Sequence, residues 1–219
     1  MSTGKTKIVY VTTSHFKMEE NRIFVERCRL ADGTLVGDVF EFEIREERIA
    51  EMLEVDITKM VWAEARRAYE RIGVPCVVEH AGLVFEGYKS EWYPGGLTKP
   101  MWDTLGDRFL QETNSAGRRA VARAVVGYCD GMQTRTFSGE TSGVLADRPR
   151  GSRTFYWDTI FAPDDPTGRT AGKTYAEVID DATLGLPYKI EHLSQSSRAM
   201  LEFLNFRRST DGPELWRWR

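Results

Sequence analysis

A chain of 219 residues with 30 Lys plus Arg against 33 Asp plus Glu, and 41% apolar residues, is expected to form one soluble globular unit or at most two small lobes. Its net charge of −3 and isoelectric point near 5.8 exclude a surface that coats a nucleic-acid polymer, which needs a large basic excess. No apolar run approaches the roughly 18 residues of a membrane span. Met1-Ser-Thr-Gly-Lys-Thr-Lys7 has no signal-peptide core, so a cytoplasmic protein that engages no membrane is expected. Cys28, Cys76 and Cys129 are odd in number and set in apolar patterns, as buried free thiols are, and His15, His80 and His192 lack metal-ligand spacing.

In chain order, Lys7-Ile-Val-Tyr-Val-Thr12 is a strand ending in the polar turn Thr12-Thr13-Ser14. Ser14 is a plausible N-cap for a helix carrying Met18, Ile23, Phe24, Arg27 and Leu30, which stops at Asp32-Gly33. Strand, turn and helix N-terminus form an anion site, because unpaired backbone N–H groups and the helix dipole point at the turn. Phe40, Phe42 and Ile44 alternate with charged residues as in a half-wet strand. Helical spacing of apolar residues then runs from Ile49 to Ile72 and is broken by Gly73-Val-Pro75. Cys76 to Glu79 is a short buried strand that Gly82 to Phe85 continues, with Glu79 and His80 as a polar pair at the strand end. After the turn Tyr93-Pro-Gly-Gly96, the spacing of Leu97, Met101, Leu105, Phe109 and Leu110 predicts a helix with Pro100 in its first turn. Ala120 to Cys129 and Gln133 to Phe137 flank Asp130-Gly131 as a hairpin, extended to Leu145. Pro149 to Pro166, rich in Pro, Gly, Arg and aromatics, has the character of a functional loop. A last helix begins at Ser194, and residues 209–219 are expected to be a tail that is either flexible or laid across a neighbour.

Three separated stretches carry a resemblance. Lys7-Ile-Val-Tyr-Val-Thr-Thr-Ser-His-Phe-Lys17 is similar to the opening strand, Thr-Gly-Asn turn and lysine-bearing helix of the inosine triphosphate pyrophosphatase family, the non-canonical purine NTP diphosphatases. Pro149-Arg-Gly151 followed by Phe155-Tyr-Trp-Asp158-Thr-Ile-Phe161 resembles its Pro-Arg-Gly and Phe-Gly-Trp-Asp-Pro-x-Phe signature. Thr174-Tyr-Ala-Glu177 and Ser194-x-x-x-Arg198-Ala resemble its Thr-Tyr-Ala-Glu and Ser-His-Arg-x-(Arg/Lys)-Ala. The order and spacing of these strings cover nearly the whole chain, so the resemblance implies one domain over 1–219.

What the resemblance implies is an α/β fold, an elongated mixed sheet with flanking helices and two lobes around a central nucleotide cleft. The implied protein is a homodimer whose substrate is a purine nucleotide and whose cofactor is Mg²⁺, hydrolysing a non-canonical or modified purine NTP to NMP and pyrophosphate. The phosphates would meet Thr12, Thr13, Ser14, Lys17 and Lys59, with Lys99 a less secure match. Glu47, or Glu46 one residue away, falls where the family places its metal-binding glutamate, although acidic residues at a helix start also serve the dipole. Phe155, Tyr156, Trp157, Asp158, Lys189, Ser194, Gln195 and Ser196 would form the base pocket, with flat faces for stacking and an aspartate for the purine edge.

The departures fall on the chemistry. Glu79-His80-Ala81 stands where the family has Glu/Asp-Asp-Ser/Thr, so an imidazole occupies the place of the general base or second metal ligand, and Glu79 and His80 become the candidate catalytic pair. Histidine suits a base at neutral pH but does not copy a carboxylate beside Mg²⁺. Ser194-Gln195-Ser196 replaces Ser-His-Arg, Ser14 replaces Asn, and Tyr156 replaces a glycine, which narrows the base pocket. The alternatives left open are a nucleotide hydrolase with a different reaction and a diverged nucleotide-binding protein.

Overall fold

The computed structural model describes residues 4–152 and 156–210. Strand β1 (Thr6–Val11) leads into helix α1 (His15–Arg27), which Ser14 caps by accepting the Lys17 N–H, and a short helix α2 (Val36–Val39) precedes β2 (Phe40–Arg45). Residues 46–56 carry no regular structure, and α3 (Ile57–Ile72) starts only where the Asp56 side chain accepts the Thr58 N–H. The apolar spacing from Ile49 is therefore not helix: Ile49 packs from a loop while Leu53 is exposed, a capping aspartate sets the start, and Gly73 in the left-handed conformation closes the other end.

Strand β3 (Cys76–Phe85) runs unbroken through Glu79 and His80, which lie mid-strand rather than at its end. Ten consecutive antiparallel pairs with β4 (Arg119–Cys129) hold this polar pair in place. Between them the predicted helix from Leu97 is divided, at Gly106 (φ 54°), into α4 (Thr98–Leu105) and α5 (Phe109–Glu112). The hairpin is present as β4 and β5 (Thr134–Leu145), and the aromatic loop contributes β6 (Phe161–Pro163). Helix α6 (Tyr175–Asp180) opens with a capping box between Thr174 and Glu177, followed by α7 (Gly185–Tyr188), a π-turn (Lys189–Leu193) and α8 (Gln195–Ser209). The tail after residue 210 lies outside the described residues.

The strands form one mixed sheet in the order β2-β1-β3-β4-β5-β6, parallel across the first three and antiparallel beyond. Its two faces are buried differently. Helices α1 and α8 pack with Ile8, Tyr10, Val77, Phe203 and Leu204 on one face, whereas α3 packs Ile57, Val61 and Ala65 on Cys76, Val78 and Val125 on the other. A third cluster around Phe85, Phe109, Phe161 and Tyr175 fills the far end. All three cysteines are buried free thiols, as their apolar settings predict. Among the described residues, no helix is long and apolar enough to cross a membrane.

This topology opens the cleft. β1 pairs with β3 only at Val9–Cys76 and Tyr10–Val77, then turns away after Val11 while β3 continues to Phe85. The Thr12–Ser14 turn and the edge of β3 at Glu79 and His80 consequently border one gap beyond the carboxyl end of β1, the place where open α/β sheets bind ligands.

Candidate active site

Side chains alternate along a strand, so Glu79 and His80 leave β3 on opposite faces. Glu79 shares the face of Val77 and meets α1 and α8; His80 shares the face of Val78 and meets α3. Both nevertheless line a cavity of about 870 Å³, because it wraps the uncovered edge of the strand. Thr12, Thr13, Ser14 and Lys17 form its wall at the N-terminus of α1; Glu47 to Glu51 form the wall from the 46–56 loop; Met60 and Glu64 come from α3, and Lys99 and Trp157 complete it.

Glu79 is buried and both oxygens of its carboxylate have partners. Lys17 Nζ reaches Oε2 at 2.9 Å and also donates to the Glu79 backbone oxygen; Tyr10 donates to Oε2 at 3.2 Å and Ser196 donates to Oε1 at 3.0 Å. Burial pushes the Glu79 carboxyl up, but Lys17, His80 and Ser196 outweigh it and hold the group below its ordinary value of 4.5. Burial, and then the Glu79 charge, push the Tyr10 phenol well above its ordinary range, so it remains a donor. Because the native carboxyl is depressed, its stabilising contribution is complete above the unfolded value of 4.5 and is lost as pH falls through that value toward the native one. The urea midpoint is expected to drop between pH 6 and pH 3.5, with a smaller drop in Glu79→Gln; equal drops in both proteins would assign the acid sensitivity to other carboxylates.

His80 Nε2 lies in direct ion-pair contact with Glu64 Oε2, and that oxygen, buried in the cavity wall, accepts no hydrogen bond. Glu64 is one functional residue that the sequence reading missed. The signal is present: buried Ile57, Met60, Val61, Glu64, Ala65 and Ala68 recur at helical spacing, with one charged residue inside the apolar stripe. Tyr10 and Glu20 were missed too, being a hydroxyl in an apolar strand and a charge on an ordinary polar helix face.

The predicted phosphate group separates. Thr12, Thr13, Ser14 and Lys17 gather at the cavity, and Lys99 joins them. Lys59 does not: it leaves α3 away from the buried stripe, 69% exposed, with Asp56 4.0 Å away. Glu47 lines the cavity while leaning on Arg71 at 3.5 Å; Glu46 is exposed and outside the lining.

The base-reading residues are more deeply packed than the sequence implies. Trp157 lines the cavity but is 2% exposed, edge-on to Phe161. Asp158 is buried in a salt bridge with Lys189 at 2.8 Å, and the same ammonium reaches Glu20 at 2.9 Å and lies 4.9 Å over the Tyr175 ring. Gln195 Oε1 accepts from Tyr175, Ser194 caps α8, and Ser194 and Ser196 line a separate pocket of about 30 Å³ with Phe24, Ile190 and Met200. Ser196 thus faces Glu79, not the large cavity. Phe155 and the Tyr156 side chain lie outside the described residues.

For a divalent cation, no three His, Cys, Asp or Glu side chains among the described residues converge on one point. Hard carboxylate oxygens are nonetheless present in the wall at Glu47 and Glu64, and Mg²⁺ is commonly held by one or two carboxylates together with substrate phosphates and water. The donor chemistry fits an ion that arrives with its nucleotide.

The comparisons agree with this architecture. A dITP/XTP pyrophosphatase of Hyperthermus butylicus is 26% identical over 199 residues, covering 90% of this chain and 94% of that one. An inosine triphosphate pyrophosphatase of Aspergillus fumigatus is 31% identical over 163 residues, covering 72% of this chain and 81% of that one. The solved structure of a HAM1 protein from Coxiella burnetii superposes with a TM-score of 0.63 over 93% of this chain and 98% of that one, at 19% identity, a likeness of fold. The model of the Ham1 family matches residues 8–203, from β1 into α8, and so takes in every element that builds the cavity. With sheet, cleft and sequence match all in accord, the chain belongs to the Ham1 family.

Proposed function

We propose that this protein is a nucleoside triphosphate diphosphatase that hydrolyses a non-canonical or modified purine NTP to the monophosphate and pyrophosphate, working as one domain over 1–219 and as a cytoplasmic homodimer. The observation that carries the proposal is the single cavity collecting the N-terminus of α1, Lys17, the His80–Glu64 pair and Trp157. Relatives named for dITP, XTP and inosine triphosphate support the substrate class.

The Thr12–Ser14 backbone and Lys17 receive phosphate oxygens, using unpaired N–H groups and a cation whose present partner is Glu79. Water attacks the α-phosphorus, its proton passes to the His80–Glu64 pair, and the bond from that phosphorus to the pyrophosphate oxygen breaks. Glu47 would hold Mg²⁺, which when bound neutralises charge on the phosphoryl and leaving-group oxygens. Glu79 acts by positioning Lys17, because its carboxylate is buried and already bonded to Lys17, Tyr10 and Ser196. Trp157, the one predicted base-pocket residue among those described that lines the cavity, bounds the base side.

The commitment of the buried Glu79 to Lys17, Tyr10 and Ser196 favours a second reading, a nucleotide site running a different hydrolysis. One panel separates the two: canonical and deaminated purine NTPs with Mg²⁺, with pyrophosphate and orthophosphate assayed separately. Pyrophosphate with matching monophosphate is expected from at least one deaminated or modified purine. Orthophosphate alone would select the second reading, and nucleotide binding without any product would remove both.

A further inference from the structure

We propose that Arg48 is a phosphate-gripping residue of this site, holding the outer phosphates of the triphosphate opposite Lys17; the inference rests on the nucleotide reading of the cavity. Three side chains of permanent positive charge line the cavity, Lys17, Arg48 and Lys99, and they come from three separate elements. Lys17 is committed to Glu79. Lys99 has a partner of its own. Arg48 makes no hydrogen bond or ion pair with any described residue, although Glu47 and Glu51 lie beside it in the same loop.

The backbone that carries Arg48 is nevertheless fixed. Glu47 N–H donates to the Arg45 oxygen at 3.0 Å, Arg67 donates to the Ala50 oxygen at 2.8 Å, and Gly96 N–H donates to the Val55 oxygen at 3.0 Å. The loop end lies so close to the Gly95–Gly96 turn that a Cβ on Gly95 would stand 2.0 Å from the Val55 oxygen, and one on Gly96 2.2 Å from the Glu54 oxygen. Only glycines permit that contact. An exposed guanidinium with no partner among the described residues, carried by a loop pinned at both ends and lining the same cavity as the N-terminus of α1, is available to a multiply charged oxyanion. Its planar fork matches two phosphate oxygens at once, which an ammonium does not.

The probe is inorganic tripolyphosphate, titrated calorimetrically into the full chain at fixed low salt, with and without Mg²⁺. Arg48→Ala is expected to weaken binding by roughly 10- to 100-fold, the range for losing charge-assisted hydrogen bonds, and to flatten the salt dependence. Arg48→Lys is expected to recover only part of the loss. Arg22→Ala, an exposed arginine of α1 paired with Glu26, is the control and should stay within about twofold. An unchanged affinity in Arg48→Ala, full recovery by lysine, or no tripolyphosphate binding by the parent overturns the inference. Should the parent release pyrophosphate from a nucleotide while Arg48→Ala keeps its tripolyphosphate affinity, only the role of Arg48 falls. Arg48-dependent binding with no nucleotide hydrolysis would instead uphold the grip and remove the diphosphatase function.

Discussion

His80→Ala is expected to lower kcat by about 100-fold or more, the usual contribution of a positioned general base, while nucleotide affinity changes by no more than about threefold. The expectation follows from placement: His80 lines the cavity and touches Glu64, but belongs to neither the α1 N-terminus nor the cation set that would grip phosphate. Removing the imidazole alone also leaves the buried Glu64 carboxyl group without its polar neighbour, and that separately destabilises the fold. The decisive comparison is therefore His80→Ala against His80→Ala with Glu64→Gln, which replaces that carboxyl group. Recovery of the urea midpoint without recovery of kcat would place His80 in the chemistry. If kcat returned with stability, or never fell beyond about threefold, the pair would be structural and the proton acceptor would lie elsewhere.

The second large effect is expected at Lys17. Its ammonium is the ionic partner of a carboxylate whose side chain is only 3% exposed, so Lys17→Ala strands a buried charge and should cost about 3–5 kcal/mol in stability. Lys17→Met combined with Glu79→Gln removes both charges and should restore most of that loss, because a paired burial and a neutral one differ far less than a paired and an unpaired one. Activity should not return with it, since the phosphates still lack their cation. Chemical denaturation at pH 7 and initial rates on one substrate measure the two quantities independently. A double variant that regains turnover would make Lys17 an anchor for Glu79 and nothing more.

The same residue ties the two sides of the site together. Lys17 bridges the Glu79 side chain and backbone, while Tyr10 and Ser196 complete the carboxylate. A phosphate must compete for that ammonium, and Tyr10 and Ser196 keep Glu79 solvated by protein while it does so. Ser196, at a position where the family resemblance implies a cation, therefore serves the buried carboxylate in this chain.

Much of this was legible from local pattern. The β1–Ser14–α1 start, the β4–β5 hairpin about Asp130-Gly131 and the last helix opening at Ser194 are set by short-range rules, strand alternation, turn chemistry and side-chain capping, and stand where the sequence puts them, whereas α1 ends at Arg27 and not at Asp32-Gly33, so Leu30 packs in the core from beyond the helix. The turn before α1 with Lys17 follows from the same level, whereas Glu79 and His80, expected at a strand end, reach the cleft from the middle of β3. Periodicity misled at Ile49, Met52 and Leu53. Apolar spacing does not tell a loop packed on a helix from the helix itself, and only the Asp56 cap separates them.

The opposite faces of Glu79 and His80, the partners Glu64 and Tyr10, the solvent-facing Lys59 and the unpaired guanidinium of Arg48 were decided by tertiary structure alone. Strand alternation states that neighbours point apart. Which helix each neighbour meets depends on α3 packing one face of the sheet and α1 with α8 packing the other, contacts between residues up to 117 positions apart. The sequence by itself determined the family, the fold class and the capped turn between β1 and α1, because these rest on local chemistry and the order of motifs. The charge partners at the site were settled only when folding brought distant groups out of water and against one another, where burial decides which charges remain paired.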